Sequence, residues 1–250
     1  MKRKIDSNTR LLRTNKINRF QNISVQKLSK VTRAQNKQEY IVAQYLLGLY
    51  YSEIKHDYEK SINYLLNIIK EDCPLFYTLA NYTLGTIYYY KIHNYVKAEH
   101  YLLKIYREED PELYAKAQVI LGRYFCEKRN NYDRAKEFLL KISKEDCPEN
   151  FAVAQCYLGC MIYDLGNNYQ DAEYYFTNVS RKDNPEFYAL AQYHLGRIYD
   201  EIKYNSDKAI NYFSKIFRED NPRKYNQAQF HLGSIYYENK EDDNKALRAW

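Results

Sequence analysis

The stretch Ala117–Gly122, AQVILG, decides the fold, because close copies of it return along the chain at one interval. Ala followed by Leu-Gly recurs as Ala43/Leu47-Gly48, Ala80/Leu84-Gly85, Ala117/Leu121-Gly122, Ala154/Leu158-Gly159, Ala191/Leu195-Gly196 and Ala228/Leu232-Gly233. Each copy stands 37 residues after the last, as Ala117 does after Ala80. A period of this size marks a repeat architecture in which every copy packs mainly on its neighbours. The regular copies run 41–77, 78–114, 115–151, 152–188 and 189–225, followed by a partial one at 226–250.

Each copy encodes two helices. In the first, Ala117, Leu121, Tyr124 and Phe125 follow i, i+4, i+7, i+8 and share one helical face. In the second, Ala135, Leu139 and Ile142 do the same. Short polar segments such as KIHN and EKRNN separate the two, with Asn94 and Asn131 as N-caps. Between copies, Asn184-Pro185 and Asn221-Pro222 pair a capping Asn with Pro at the first helical position, where its missing N–H costs nothing. Glu112, Glu149 and Glu186 suit the dipole of the first turn. Lys70, Arg107, Lys144, Arg181 and Arg218 suit that of the preceding helix end. A mid-helix Gly costs about 1 kcal/mol relative to Ala. Its return in all six copies points to close helix packing, with Ala98, Ala135, Ala172, Ala209 and Ala246 facing that contact. The larger Leu102, Leu139, Phe176, Phe213 and Trp250 are expected to fill between neighbouring pairs.

The segments LGTIYYYKIHNYVKAEHYL (84–102) and LGSIYYENKEDDNKALRAW (232–250) resemble Sel1-like repeats and, more broadly, tetratricopeptide repeats. The resemblance covers about 41–250, with a weaker extension to residue 24. The copies depart from the 34-residue tetratricopeptide length, and Gly166 is the only trace of the second Sel1-type glycine cluster. The resemblance implies an all-α, αα-superhelical solenoid of helix-turn-helix repeats, acting as an adaptor that binds other proteins.

The ends differ from the middle. Residues 1–40 hold 11 Lys/Arg against 2 Asp/Glu, whereas the remainder holds 27 against 30. Residues 1–23 read as a basic, flexible leader, and 24–40 as a degenerate N-terminal capping helix, polar on its outer face. Trp250 halts the partial copy early in its second helix, so a continuation, a covering protein or self-association is expected there. No secretory signal or apolar membrane span is legible, and cytoplasm or nucleus is the expected compartment. Five cysteines, an odd set without repeated pairing, read as free thiols.

Reaction chemistry is not legible. The chain has no nucleophile elbow, P-loop or HExxH, and its histidine pairs, His194/His231 and His56/His93, lack further ligands at a metal-binding spacing. No enzyme activity, cofactor or metal is expected. A ladder is more informative. Five residues after each repeat glycine stand Glu53, Tyr90, Glu127, Asp164, Glu201 and Glu238. If the first helices line a concave face, as the resemblance implies, these residues share one groove. Tyr45, Tyr82, Tyr193 and Phe230 would bring aromatic surface beside them, and Tyr89, Tyr163 and Tyr237 would add more. Such a groove suits a Lys/Arg-rich peptide with apolar anchors. The same acids also fit a solvated face, because Arg123/Glu127 and Arg197/Glu201 are i, i+4 pairs. The chain is therefore read as a non-catalytic protein-interaction scaffold. The alternatives are a nucleic-acid-associated adaptor using the leader, or a regulatory subunit of a separate enzyme.

Overall fold

Side-chain caps set where the helices begin. In a computed structural model, which describes residues 24–166 and 168–238, Asn94 and Asn131 accept from the backbone N–H of Lys97 and Arg134, each opening a second helix. Asn184 and Asn221 do the same at the links, accepting from Phe187 and Lys224. The leader at 1–23 and the end of the partial copy, with Trp250, lie outside the described residues. The described residues form α-helices, two π-turns and the links between them, without a strand. Two compact units divide the chain, Met1–Leu113 and Tyr114–Trp250.

The first unit contains α1 (Val25–Leu28), α2 (Lys37–Glu53), α3 (Tyr58–Leu66), α4 (Pro74–Ile87) and α5 (Tyr95–Leu102). A π-turn, Tyr88–Ile92, prolongs α4. α2 packs on α3 and on α4, and α4 packs on α5, so consecutive helices pair and like helices lie side by side. The helix expected over 24–40 is one short turn, α1. Asn36 accepts from the N–H of Gln38 and Glu39, so Tyr40 already belongs to α2.

α6 (Pro111–Glu127) begins at the end of the first unit and lies mostly in the second. There follow α7 (Tyr132–Leu139), α8 (Pro148–Leu165), α9 (Tyr169–Thr177), α10 (Pro185–Arg197), α11 (Ser206–Phe213) and α12 (Pro222–Glu238). A second π-turn, Ile198–Ile202, prolongs α10. The pattern of the first unit recurs, with α8 on α9 and α10, and α10 on α11 and α12. The fold is an all-α repeat of helix pairs.

The repeat glycine has a more specific partner than expected. A Cβ on Gly85 would stand 2.6 Å from Leu102 Cγ, and one on Gly196 would stand 2.5 Å from Phe213 Cε1. The large residue of the second helix therefore sits in the notch that glycine leaves, inside its own pair rather than between pairs. Ala98, Ala135, Ala172 and Ala209 are buried alongside. The short turns close through left-handed residues, His56, His93, Asn130 and Tyr204. After His93, Asn94 N–H reaches the carbonyl of Tyr88, and after Tyr204, Asn205 N–H reaches that of Tyr199.

Cations at the second-helix ends do more than meet a dipole. Lys70 reaches Glu109 at 2.8 Å, Lys144 reaches Asp183 at 2.6 Å, and Arg181 reaches Asp220 at 2.6 Å. Ahead of the first regular copy, Arg33 and Lys37 both pair with Asp72 inside it. Each such bridge ties one link to the next.

The tyrosines acquire a structural role that their abundance alone did not reveal. Tyr51 stacks on Tyr64 and Tyr88 on Tyr101 in the first unit, with centroids 5.4 and 5.5 Å apart. Phe125 on Phe138 and Tyr199 on Tyr212 repeat the arrangement in the second, both at 5.4 Å. Cations cover the rings: Lys97 lies over Tyr88 at 5.3 Å and Lys208 over Tyr199 at 4.8 Å. Offset stacks and cation–π contacts add roughly 0.5–1.5 kcal/mol each beyond burial.

Candidate partner-binding face

In the second unit the ladder phase falls late in the first helices. Glu127, Asp164, Glu201 and Glu238 are all exposed. Two of them are met on their own helix. Arg123 Nε lies 3.4 Å from Glu127, and Arg197 grips Glu201 with two hydrogen bonds, at 2.7 and 2.6 Å. Asp164 differs because Cys160 occupies the position that Arg123 and Arg197 hold on α6 and α10. Among the described residues Asp164 has no ion-pair partner. Consecutive rungs act on shared neighbours. Glu127 and Asp164 together raise the Cys126 thiol after burial does, and Glu201 and Glu238 both act on Asp200.

The aromatic members divide by burial. Tyr193 is only 7% exposed. Lys224 Nζ lies 4.1 Å from its ring centroid, and its hydroxyl is 3.4 Å from His231 Nε2. His231 also faces Asp200 at 3.4 Å and stacks on Phe213 at 5.0 Å. Burial raises the Asp200 carboxyl above its ordinary range, against the pull of His231. Phe230 holds the Tyr193 phase on α12, yet it is 65% exposed. Tyr237 is exposed, and Tyr163 is half-buried beneath the Arg197 guanidinium, 5.5 Å from its centroid. The accessible anchors of this unit are thus Phe230 and Tyr237, while Tyr193 serves packing.

In the first unit, Glu53 ends α2 half-buried, its Oε2 buried without a hydrogen bond. Tyr90 stands exposed in the π-turn, edge-on to Tyr89 at 4.7 Å. Tyr45 is buried edge-on to Phe76, and Tyr89 is buried. Tyr82 lies near Tyr45 and Tyr90. Burial first, then Tyr90, Glu112 and Tyr45, push its phenol up to about 12. Of these rings Tyr45 is packed, Tyr82 is half-buried and Tyr90 is exposed.

A buried polar phase, present in each unit, escaped the reading of the sequence, although its period was there to find. Gln44, Asn81, Gln118, Gln155 and Gln192 precede the aromatic phase and are buried. Gln44 accepts from Asn67 at 2.9 Å and Gln155 from Asn178 at 3.1 Å, tying first helix to second. His56 and His93 sit in the turns. Among the described residues no group of three or more His, Cys, Asp or Glu converges as a metal site requires, and no helix is long and apolar enough to cross a membrane. All five cysteines are free.

No known protein family matches the chain, and no curated protein is similar to it.

Proposed function

We propose that the chain is a non-catalytic protein-interaction scaffold whose second unit binds a Lys/Arg-rich segment along the ends of α8 and α12. The observation that carries this reading is Asp164, an exposed carboxylate without an ion-pair partner among the described residues, in a ladder whose neighbouring rungs Glu127 and Glu201 are already paired. A basic side chain docking at Asp164 displaces no internal cation. Exposed Phe230 and Tyr237 supply apolar anchorage on α12 beside Glu238. Exposed ion pairs are worth about 0.2–1 kcal/mol each, so anchors and several charges must act together.

The test is fluorescence anisotropy of the full chain with a labelled peptide alternating Lys/Arg and Leu/Phe. Asp164→Lys should weaken binding about two- to fivefold at low salt and less at high salt, because surface charges are screened. Glu127→Gln should change it less, since Arg123 already meets that carboxylate. Equal affinity and equal salt dependence for Asp164→Lys and the parent would remove the face from this account.

A further inference from the structure

The chain carries in its own sequence a segment of the chemistry that the α8 and α12 face would select. Residues 7–38 hold no Asp or Glu, and residues 1–23 carry seven Lys/Arg against Asp6 alone. Within that leader Arg10, Arg13, Lys16 and Arg19 return every third residue. Leu11, Leu12, Ile17 and Phe20 stand beside and between them, so cations and apolar side chains alternate along one short run.

α12 supplies the apolar half of the complement. Phe230 and Tyr237 lie seven residues apart, on one side of the helix, and both are exposed. One copy earlier the Phe230 phase is Tyr193, which is buried because Lys224 and His231 of α12 lie against its ring. Phe230 has no such cover among the described residues.

Charge supplies the other half. Asp164 on α8 is exposed and has no ion-pair partner among the described residues, and exposed Glu238 adjoins Tyr237. Size fits as well. α8 packs on α10 and α10 on α12, so the two carboxylates stand two helix steps apart, about 20 Å at the usual spacing. An extended run from Arg10 to Arg19 spans about 30 Å. Such a run crosses from one carboxylate to the other with apolar side chains left to meet Phe230 and Tyr237. Within a single copy Asp164, Phe230 and Tyr237 all stand exposed, so what covers them comes from a second copy.

We infer that the Lys/Arg-rich segment taken by this face is residues 1–23 of a second copy, an assignment that rests on the partner-binding role proposed for the face. A leader and a face are different surfaces, so the contact is heterologous. Two copies that exchange leaders close as a dimer, and one-way exchange extends as a chain. In either form mass rises with concentration.

The test is sedimentation velocity of the full, nuclease-treated chain across about 1–100 μM, which brackets micromolar affinity. Mass should rise with concentration at low salt and fall back at high salt. Arg13→Gln/Lys16→Gln/Arg19→Gln should weaken association about tenfold, and Asp164→Lys about two- to fivefold. Asp164→Lys mixed with Arg13→Glu/Lys16→Glu/Arg19→Glu should associate more tightly than either variant alone, which misfolded chains would not do. Fluorescence anisotropy with a labelled peptide of residues 1–23, beside the alternating Lys/Arg and Leu/Phe peptide, tells the occupant from the face. If the alternating peptide binds and residues 1–23 do not, the assignment falls and the face stands. If neither binds, both fall. A chain that stays monomeric throughout also overturns the assignment. So does peptide binding that tightens in the leader variant without a change in mass, which would put the leader on its own copy.

Discussion

The α4–α5 pair and the α10–α11 pair solve one packing problem with different side chains. Both leave a notch at the repeat glycine. Leu102 fills it at Gly85, and Phe213 fills it at Gly196. The leucine is a compact filler buried within its own pair. The phenylalanine has a second face, and His231 from α12 stacks on it. Phe176 and His194 repeat that arrangement one copy earlier. Widening the filler from Leu to Phe thus provides a flat platform on which a polar ring can be held inside the seam. The later copies hold histidines on these rings, and one of them, His231, faces Asp200.

The largest expected effect breaks this comparison at the notch. Gly85→Ala and Gly196→Ala should each destabilise the chain by about 1–3 kcal/mol, the range for overpacked cores. Gly196→Ala should cost more, because a planar ring carrying a stacked histidine shifts less freely than a leucine. Urea unfolding followed by circular dichroism reads both. Equal losses would mean that the two fillers yield alike.

Acid should sharpen the contrast. Asp72 is held below its ordinary range by Lys37 first, with Arg33 adding to it against burial. At Glu109 burial raises the carboxyl, but the Lys70 and Thr78 hydrogen bonds outweigh it and the net shift is downward. Both groups bind protons more weakly in the folded chain. They add stability above the ordinary carboxylate range, about 4, and that stability is lost as pH falls through their lowered values. In the second unit Glu173 behaves likewise, burial being outweighed by Lys203 and Tyr199. Asp200 runs the other way. Its raised value adds stability below the ordinary range, which is lost as pH rises through the folded value. Hydrogen exchange measured between about pH 5 and 3 should therefore rise more at α4–α5 than at α10–α11. A uniform rise would remove Asp200 from the difference.

The smallest effect lies at the two links where cysteine stands in for asparagine. Cys73 and Cys147 have the extended backbone of the Asn184 cap but donate or accept no capping hydrogen bond. Cys73→Asn should stabilise by about 0.5–1 kcal/mol. Cys147→Asn should gain less, because Cys147 Sγ already accepts from Asn150 at 3.0 Å. Thermal melting of both variants would rank them.

What the sequence made legible was local. The period was read from identical residues returning at a fixed interval, and the helix faces, Asn caps and Pro starts rest on residues within a turn or two of each other. What stayed hidden depends on which faces meet. Tyr51 and Tyr64 are 13 residues apart, Gly85 and Leu102 are 17 apart, and Lys70 and Glu109 are 39 apart. None of these spacings follows from helical periodicity, since each crosses a turn that closes through the left-handed His56 or His93. The candidate face shows the same limit. Its acids were found by phase, and two already carry an arginine on the same helix. The burial of Tyr45 and Tyr193 depends on neighbouring copies, which phase alone does not reveal.

The link bridges bear on how such a chain can lengthen. Arg181 belongs to one copy and Asp220, whose side chain is 5% exposed, to the next; Lys144 and Asp183 stand in the same relation. A duplicated stretch of 37 residues brings an acid for the copy before it and a cation for the copy after it, so neither charge is stranded. A stretch one residue longer or shorter would move the acid off its cation and leave a carboxylate in the seam unanswered. Growth by whole copies therefore conserves charge pairing without any compensating substitution, and the seam itself enforces the repeat length.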